Sequence, residues 1–106
     1  MKTITPGELK QKLDNGADIF ILDIRDQDKY AAGHIPGSHC IPQKDVPDRT
    51  GEIPKKGMVV ICCAYGLKSD QVYLYLSEKK KYRNLRLLEG GVFEYALEVN
   101  PTIVVL

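Results

Sequence analysis

A cysteine followed by a short loop with a lysine is the feature of this sequence best suited to chemistry. Residues 63–70 read Cys-Ala-Tyr-Gly-Leu-Lys-Ser-Asp and directly follow an apolar run that ends at Cys62. A cysteine attacks only as its thiolate, and a free thiol is only about 3% ionised at pH 7. Backbone N–H groups in a tight loop before a helix favour negative charge, as does the ammonium of Lys68. The spacing therefore predicts that Cys63 is an activated nucleophile in an anion-binding loop.

The remaining residues of this loop are candidates for substrate binding. Making the thiol mostly ionised takes roughly 2.7 kcal/mol, whereas an exposed helix terminus supplies only about 0.3–1 kcal/mol. The loop N–H groups and the charge of Lys68 must therefore supply the rest. Gly66 lets the backbone turn where a side chain would crowd the pocket, and Tyr65 and Leu67 are expected to shape its mouth. The predicted substrate-binding residues are Ala64, Tyr65, Gly66, Leu67, Lys68 and Ser69.

The cysteines and histidines do not predict a disulfide framework or a metal site. The chain has three cysteines, Cys40, Cys62 and Cys63, and a bridge between the adjacent two would be strained. No Cys-x-x-Cys spacing occurs, and His34 and His39 are the only histidines, so we expect no metal and no cofactor. Cys62 and Cys40 are interpreted as packed strand residues.

Composition limits the function classes further. The chain has 106 residues, 43% of them apolar and 27% charged, which predicts a single globular domain over residues 1–106. A net charge of +1 gives no field that would attract nucleic acid or an anionic membrane. The apolar runs are too short to span a membrane, and the first residues lack the apolar centre of a signal peptide. We therefore expect a cytoplasmic protein with no nucleic-acid or membrane partner.

Apolar runs and capping signals predict strands that alternate with helices. The predicted strands are residues 19–22, 39–41, 58–62 and 86–88, and residues 102–106 form a β-prone tail that could add an edge strand. The predicted helices are residues 5–15, 28–32, 69–80 and 92–98. Residues 42–57 are expected to be mostly loop. This alternation indicates a parallel α/β sheet with helices on both faces, in which ligands bind beyond the carboxyl ends of strands. Cys63 lies just past such an end.

Three motifs in this order and spacing resemble the rhodanese family of sulfurtransferases. The family's active-site loop runs Cys-x-x-Gly-x-Arg-Ser, which the sequence matches at Cys63, Gly66 and Ser69, with Lys68 in place of arginine. The upstream motif is Leu22-Asp23-Ile24-Arg25, then Tyr30 and Gly33-His34-Ile35-Pro36-Gly37. The downstream motif is the turn Leu88-Glu89-Gly90-Gly91 with Phe93. The resemblance covers nearly the whole chain.

The resemblance implies a fold and a reaction. The fold is a three-layer rhodanese-like domain with a central parallel sheet of about five strands and helices on both faces. The reaction moves sulfane sulfur from thiosulfate or a protein persulfide to cyanide, a thiol or a protein, through a persulfide on Cys63. The implied partners are small sulfur donors and acceptors, or a protein that carries a persulfide or thiol. Lys68 keeps the charge of the usual arginine but loses its planar two-point recognition of an oxyanion.

Two other function classes stay open at this point. Phosphatases and arsenate reductases on this fold resemble Cys-x5-Arg, and the segment from Cys62 to Lys68 has that length, so either Cys62 or Cys63 could be the nucleophile of such an enzyme. The domain could also be a non-catalytic interaction or sensor module.

Overall fold

A computed structural model describes all residues, Met1–Leu106, as a five-stranded parallel sheet flanked by helices. The strands are β1 (Thr3–Ile4), β2 (Ile19–Asp23), β3 (His39–Cys40), β4 (Met58–Cys62) and β5 (Leu85–Leu88). They lie in the order β1-β5-β4-β2-β3, and every pair is parallel. The helices are α1 (Pro6–Asp14), α2 (Gln27–Ala32), α3 (Ser69–Leu74) and α4 (Gly91–Glu98). The predicted α/β fold with a central parallel sheet is confirmed.

The first helix begins where its sequence signals predict. The Thr5 hydroxyl accepts a bond from the Glu8 N–H at 3.1 Å, and the Glu8 carboxylate accepts one from the Thr5 N–H at 2.9 Å. This reciprocal capping box satisfies two N–H groups that the helix itself leaves unpaired. Pro6 occupies the first turn, where its missing N–H costs nothing. Leu9 is fully buried, so α1 is fixed to the sheet by its apolar side.

Two apolar clusters pack on opposite faces of the sheet. One joins α1 and α4 to the sheet, through Leu9 and Tyr95 among others. The other joins α3 and the 3-10 segment Gln43–Asp48 to the opposite face, through Val72 and Val46 among others. The central strand β4 contributes alternate side chains to both clusters, as expected for a strand covered on both faces. β4 is therefore packed on both sides up to its carboxyl end, Cys62.

The helix after the cysteine loop differs from the prediction in its last turns. α3 is regular over Ser69–Leu74 and continues as a π-helical turn, Tyr75–Lys79. Lys81 then adopts a left-handed conformation with φ of 63°, and the Tyr82 N–H bonds the Leu76 carbonyl at 3.0 Å. The wider turn lets both Leu76 and Tyr82 reach the core.

The expectation of a carboxyl-terminal edge strand is wrong. Residues 102–106 form no strand, and the edge next to β5 is taken by β1, which pairs Thr3 with Leu87. After Pro101 the chain turns back, with the Ile103 N–H bonded to the Asn100 carbonyl at 3.1 Å. Ile103 then packs against the cluster beneath α1 and α4. The tail thus covers apolar surface without pairing to the sheet.

The remaining parts of the fold are the edge strand β3 and the segment 42–57. Cys40 lies in β3 as predicted, but it is half-buried and belongs to neither core cluster, because β3 is the opposite edge of the sheet. The segment 42–57 contains two short 3-10 segments, Gln43–Asp48 and Thr50–Glu52. None of the helices has the length and apolar character required to cross a bilayer.

Candidate active site

The alternation of side chains along β4 separates the two adjacent cysteines. Cys62 is the last residue of the strand, is fully buried and packs in the cluster with α1 and α4. Cys63 follows it and packs in the cluster on the opposite face, with 5% of the residue exposed. Successive side chains of a strand point to opposite faces, so the neighbours enter different environments. Only Cys63 is directed into the loop that precedes α3.

The Cys63–Ser69 loop folds around the Cys63 sulfur. The N–H groups of Gly66 and Lys68 donate to Sγ at 3.1 and 3.4 Å. The hydroxyl oxygen of Ser69 lies 3.7 Å from Sγ and is buried. Gly66 has φ of 81°, a left-handed conformation that glycine adopts without strain and that directs its N–H towards the sulfur. Three groups of one loop, at positions 66, 68 and 69, therefore surround a single sulfur atom.

These contacts lower the pKa of Cys63. Burial raises the pKa of the thiol, but hydrogen bonds from the Lys68 N–H, from the Ser69 hydroxyl and N–H, and from the Gly66 N–H lower it by more. The net pKa therefore lies below the ordinary value of a cysteine. Lys68 acts on the sulfur through its backbone N–H, one of the loop N–H groups that the sequence predicts to stabilise the thiolate together with the Lys68 ammonium. Hydrogen bonds to the charged form are a standard way to stabilise a thiolate.

The amino end of α4 holds the start of this loop through hydrogen bonds. The N–H groups of Val92 and Phe93 bond the carbonyls of Cys63 and Ala64, both at 2.9 Å. Gly91 allows this approach, since a Cβ at that position would stand 2.5 Å from the Cys63 carbonyl oxygen. From sequence, Gly90 and Gly91 predict only a turn; their contact with the reactive loop depends on the packing of distant segments. The downstream motif of the sequence is therefore part of the site.

Aromatic and aliphatic side chains form the mouth of the site. Tyr65 is 51% exposed and Leu67 is 80% exposed. The ring of Tyr65 lies against that of Phe93, with centroids 5.2 Å apart and planes tilted by 50°. Tyr65 and Leu67 therefore lie at the solvent-exposed end of the loop.

A cavity of about 620 Å³ opens beside Cys63. Ala64, Tyr65, Leu67 and Lys68 of the loop line one side. The other side is lined by residues that the sequence analysis did not assign to the site, which are Ile24, Arg25, Asp26, Lys29, Gln43, Lys44 and Leu106. No three histidine, cysteine, aspartate or glutamate side chains lie close enough together to hold a metal ion.

The upstream motif braces the far wall of this cavity. Arg25 and Asp23 form a buried ion pair, with Nη2 2.8 Å from a carboxylate oxygen. The same Nη2 donates to the Gly33 carbonyl at 2.8 Å and so ties the end of α2 to β2. His34 stacks on Tyr30, and its Nδ1 lies 2.8 Å from the Tyr30 carbonyl oxygen. These contacts hold the segment after β2 and the end of α2 together.

The environment of Cys62 argues against it as a nucleophile. Burial raises the pKa of its thiol well above the ordinary value, and the negative charge of Asp23 raises it further. The side chain has no exposed surface. A loop of the length found in phosphatases and arsenate reductases would have to start at Cys62. Its nucleophile would then be the Cys62 sulfur, which lies in the core.

Known proteins resemble this chain over most of its length. The family model Rhodanese-like domain matches residues 5–98. A sulfurtransferase of Allochromatium vinosum is 36% identical over 95 residues, which are 90% of this chain and 88% of that protein. The probable adenylyltransferase/sulfurtransferase MoeZ of Mycobacterium tuberculosis is 30% identical over 104 residues, which are 96% of this chain but 26% of that protein.

A solved structure shows the same fold. The rhodanese-like domain protein from Staphylococcus aureus superposes with a TM-score of 0.83 and 30% sequence identity, over 100% of this chain and 99% of that one. Together with the family match, this similarity covers the reactive loop, the upstream brace and the glycine turn beneath the loop. The chain belongs to the rhodanese-like domain family.

Proposed function

We propose that this protein is a sulfurtransferase that carries sulfane sulfur as a persulfide on Cys63. The observation that carries the proposal is the convergence of the Gly66 and Lys68 N–H groups and the Ser69 hydroxyl on the Cys63 sulfur. An activated thiolate that opens onto a cavity is what covalent catalysis by cysteine requires. The sulfurtransferase names of relatives support the same reaction class.

The reaction divides into two transfers. The Cys63 thiolate attacks the outer sulfur of a donor such as thiosulfate; the donor's sulfur–sulfur bond breaks and sulfite leaves with the bonding electron pair. A thiophilic acceptor, which is cyanide, a thiol or a protein, then attacks the terminal sulfur of the persulfide and releases Cys63 as thiolate. N–H groups around the sulfur stabilise the negative charge that develops in each step. The site residues in this scheme are Cys63 as nucleophile and residues 64–69 as its anion-binding loop.

The donor and the acceptor can each be a small molecule or a protein. Free thiols, a near-neutral charge and no disulfide fit a reducing cytoplasm, where we place this activity. No cofactor is required, since both transfers use only the thiol.

Mass measurement of the intact protein after thiosulfate treatment tests this proposal. Wild type is expected to gain one sulfur atom, and cyanide is expected to remove it. Cys63→Ser should gain nothing, whereas Cys62→Ala, the matched control at the neighbouring thiol, should behave as wild type. A sulfur adduct retained by Cys63→Ser, or absent from wild type with every donor, contradicts the proposal, and the absence would favour an interaction module.

A further inference from the structure

The tail, residues 102–106, connects the helical layer on one face of the sheet to the cavity beside Cys63. Side chains along it alternate between packed and exposed, as in an extended segment. Ile103 and Val105 are half-buried and pack against the cluster formed with α1 and α4, whereas Val104 and Leu106 are exposed. Leu106 nevertheless lines the cavity beside Cys63. The tail therefore supplies part of the wall of the active site.

The backbone of Val104 lies directly against Gly33, the residue that follows α2. A Cβ at Gly33 would stand 2.2 Å from the Val104 carbonyl oxygen and 2.6 Å from the Val104 nitrogen. Both distances are well short of the 3.4–4 Å of an ordinary van der Waals contact. Gly33 has φ of 175°, an extended conformation that any residue adopts. The missing side chain at this position therefore serves the contact with the tail and not a turn.

Few bonds hold the tail in this position. At its start, the Thr102 N–H donates to the side-chain oxygen of Asn100 at 3.2 Å, and the Ile103 N–H donates to the Asn100 carbonyl at 3.1 Å. Beyond that turn, residues 104–106 make no backbone hydrogen bond with the rest of the chain. A segment held by a few apolar contacts opens at a low free energy. Residues 104–106 can therefore leave Gly33 while the turn at Asn100 stays in place.

Gly33, in contrast, is held on both sides of its backbone. Its N–H donates to the Tyr30 carbonyl at 3.2 Å, and its carbonyl accepts a bond from Nη2 of Arg25 at 2.8 Å. Arg25 is itself fixed by the buried ion pair with Asp23. A collision between Gly33 and Val104 is therefore relieved by movement of the tail, since the tail is the less firmly bonded partner.

We propose that residues 102–106 form a strap that closes on Gly33 and determines the size of the group that can reach Cys63. With the strap seated, Leu106 completes one part of the cavity wall. When the strap leaves Gly33, that part of the wall is lost and the cavity admits bulkier groups. The strap lies outside all three sequence motifs. The inference concerns access to the thiol and applies to any molecule that reacts there.

Two maleimides with the same reactive group and different bulk, N-ethylmaleimide and N-(1-pyrenyl)maleimide, test the proposal. The rate of Cys63 modification is measured with each reagent on the whole protein, and peptide masses separate it from modification of Cys40. The readout is the ratio of the pyrenyl rate to the ethyl rate, in which any change in the pKa of Cys63 cancels because both reagents need the thiolate. Gly33→Ala displaces the strap, so this ratio should rise about tenfold, since an open minor state is populated at only about 0.1–10%.

A second variant acts on the strap itself and leaves Gly33 intact. Val105→Ser removes one of the packed side chains of the strap and should raise the ratio about fivefold, the effect of losing part of the burial of a valine. Gly51→Ala, in open space on the segment Thr50–Glu52, is the matched control and should keep the wild-type ratio. An unchanged ratio in both Gly33→Ala and Val105→Ser overturns the proposal. Alkylation involves no sulfur transfer, so this result is independent of the test of the proposed function.

Discussion

Replacement of Gly91 by alanine would show how strongly the reactive loop depends on the glycine turn. Gly91 has φ of 67°, which costs an L-residue about 1–2 kcal/mol. The added Cβ would stand 2.5 Å from the Cys63 carbonyl oxygen and 2.7 Å from that of Ala64. The closer contact is about 0.9 Å short of an ordinary one, and overpacking of this kind costs about 1–3 kcal/mol. We therefore expect a total loss of about 2–5 kcal/mol in the free energy of unfolding.

Two other glycines supply the matched controls. Gly16 has φ of 75° but open space around it, so Gly16→Ala should lose only the conformational part, about 1–2 kcal/mol. Gly7 lies in α1 with open space and ordinary φ, so Gly7→Ala should gain about 0.5–1 kcal/mol. The difference between Gly91→Ala and Gly16→Ala isolates the collision with the loop.

The assay combines urea unfolding with the alkylation rate of Cys63 at pH 6. The collision in Gly91→Ala pushes the Cys63 and Ala64 carbonyls and the start of α4 apart, and we expect this to shift the sulfur relative to its N–H donors. Its alkylation rate should therefore fall at least fivefold, whereas Gly16→Ala should react as wild type does. If Gly91→Ala is no less stable than Gly16→Ala and equally reactive, the supporting role assigned to the turn is wrong.

Three further substitutions test the site and its support. Ser69→Ala removes a donor to the Cys63 thiolate worth about 1 kcal/mol, so alkylation at pH 6 should slow about fivefold, and an unchanged rate would contradict the contact. Cys62→Ser puts a hydroxyl into an apolar cluster and should cost about 1–3 kcal/mol in urea unfolding without slowing alkylation of Cys63; a slowed rate would link the two thiols. Arg25→Met leaves the buried Asp23 carboxylate unpaired and should cost about 3–5 kcal/mol; a loss below 1 kcal/mol, the range of an exposed pair, would argue against a buried one.

Sequence predicted the parts of the fold that strong local signals determine. The capping box of α1, the apolar strands β2 and β4, and the position of the loop after β4 all follow from nearby residues. β1 escaped prediction because Thr3–Ile4 is too short to show an alternating pattern, and its pairing with β5 joins distant parts of the chain. The β-prone tail shows the opposite error, since its propensity was overridden by a turn at Asn100 and by packing on the helices.

In the site, too, the features set by neighbouring residues could be predicted and those set by distant segments could not. Donors within a few residues of Cys63 could be predicted from loop spacing alone. The bonds from α4 to the loop carbonyls, and the convergence of Lys29 and Lys44 on the cavity, depend on how distant segments pack. No periodicity or spacing within a single segment carries that information.

The division of the adjacent cysteines between two faces of the sheet has a consequence under oxidative stress. A thiol that forms a sulfenic acid is usually rescued by a second thiol within reach, before irreversible oxidation follows. Cys62 cannot serve, because it is sealed in the opposite cluster and a bridge between neighbours would be strained. Cys40 borders a different cavity from that of Cys63. Recovery of an oxidised Cys63 therefore depends on a thiol that arrives through the same mouth as the substrates.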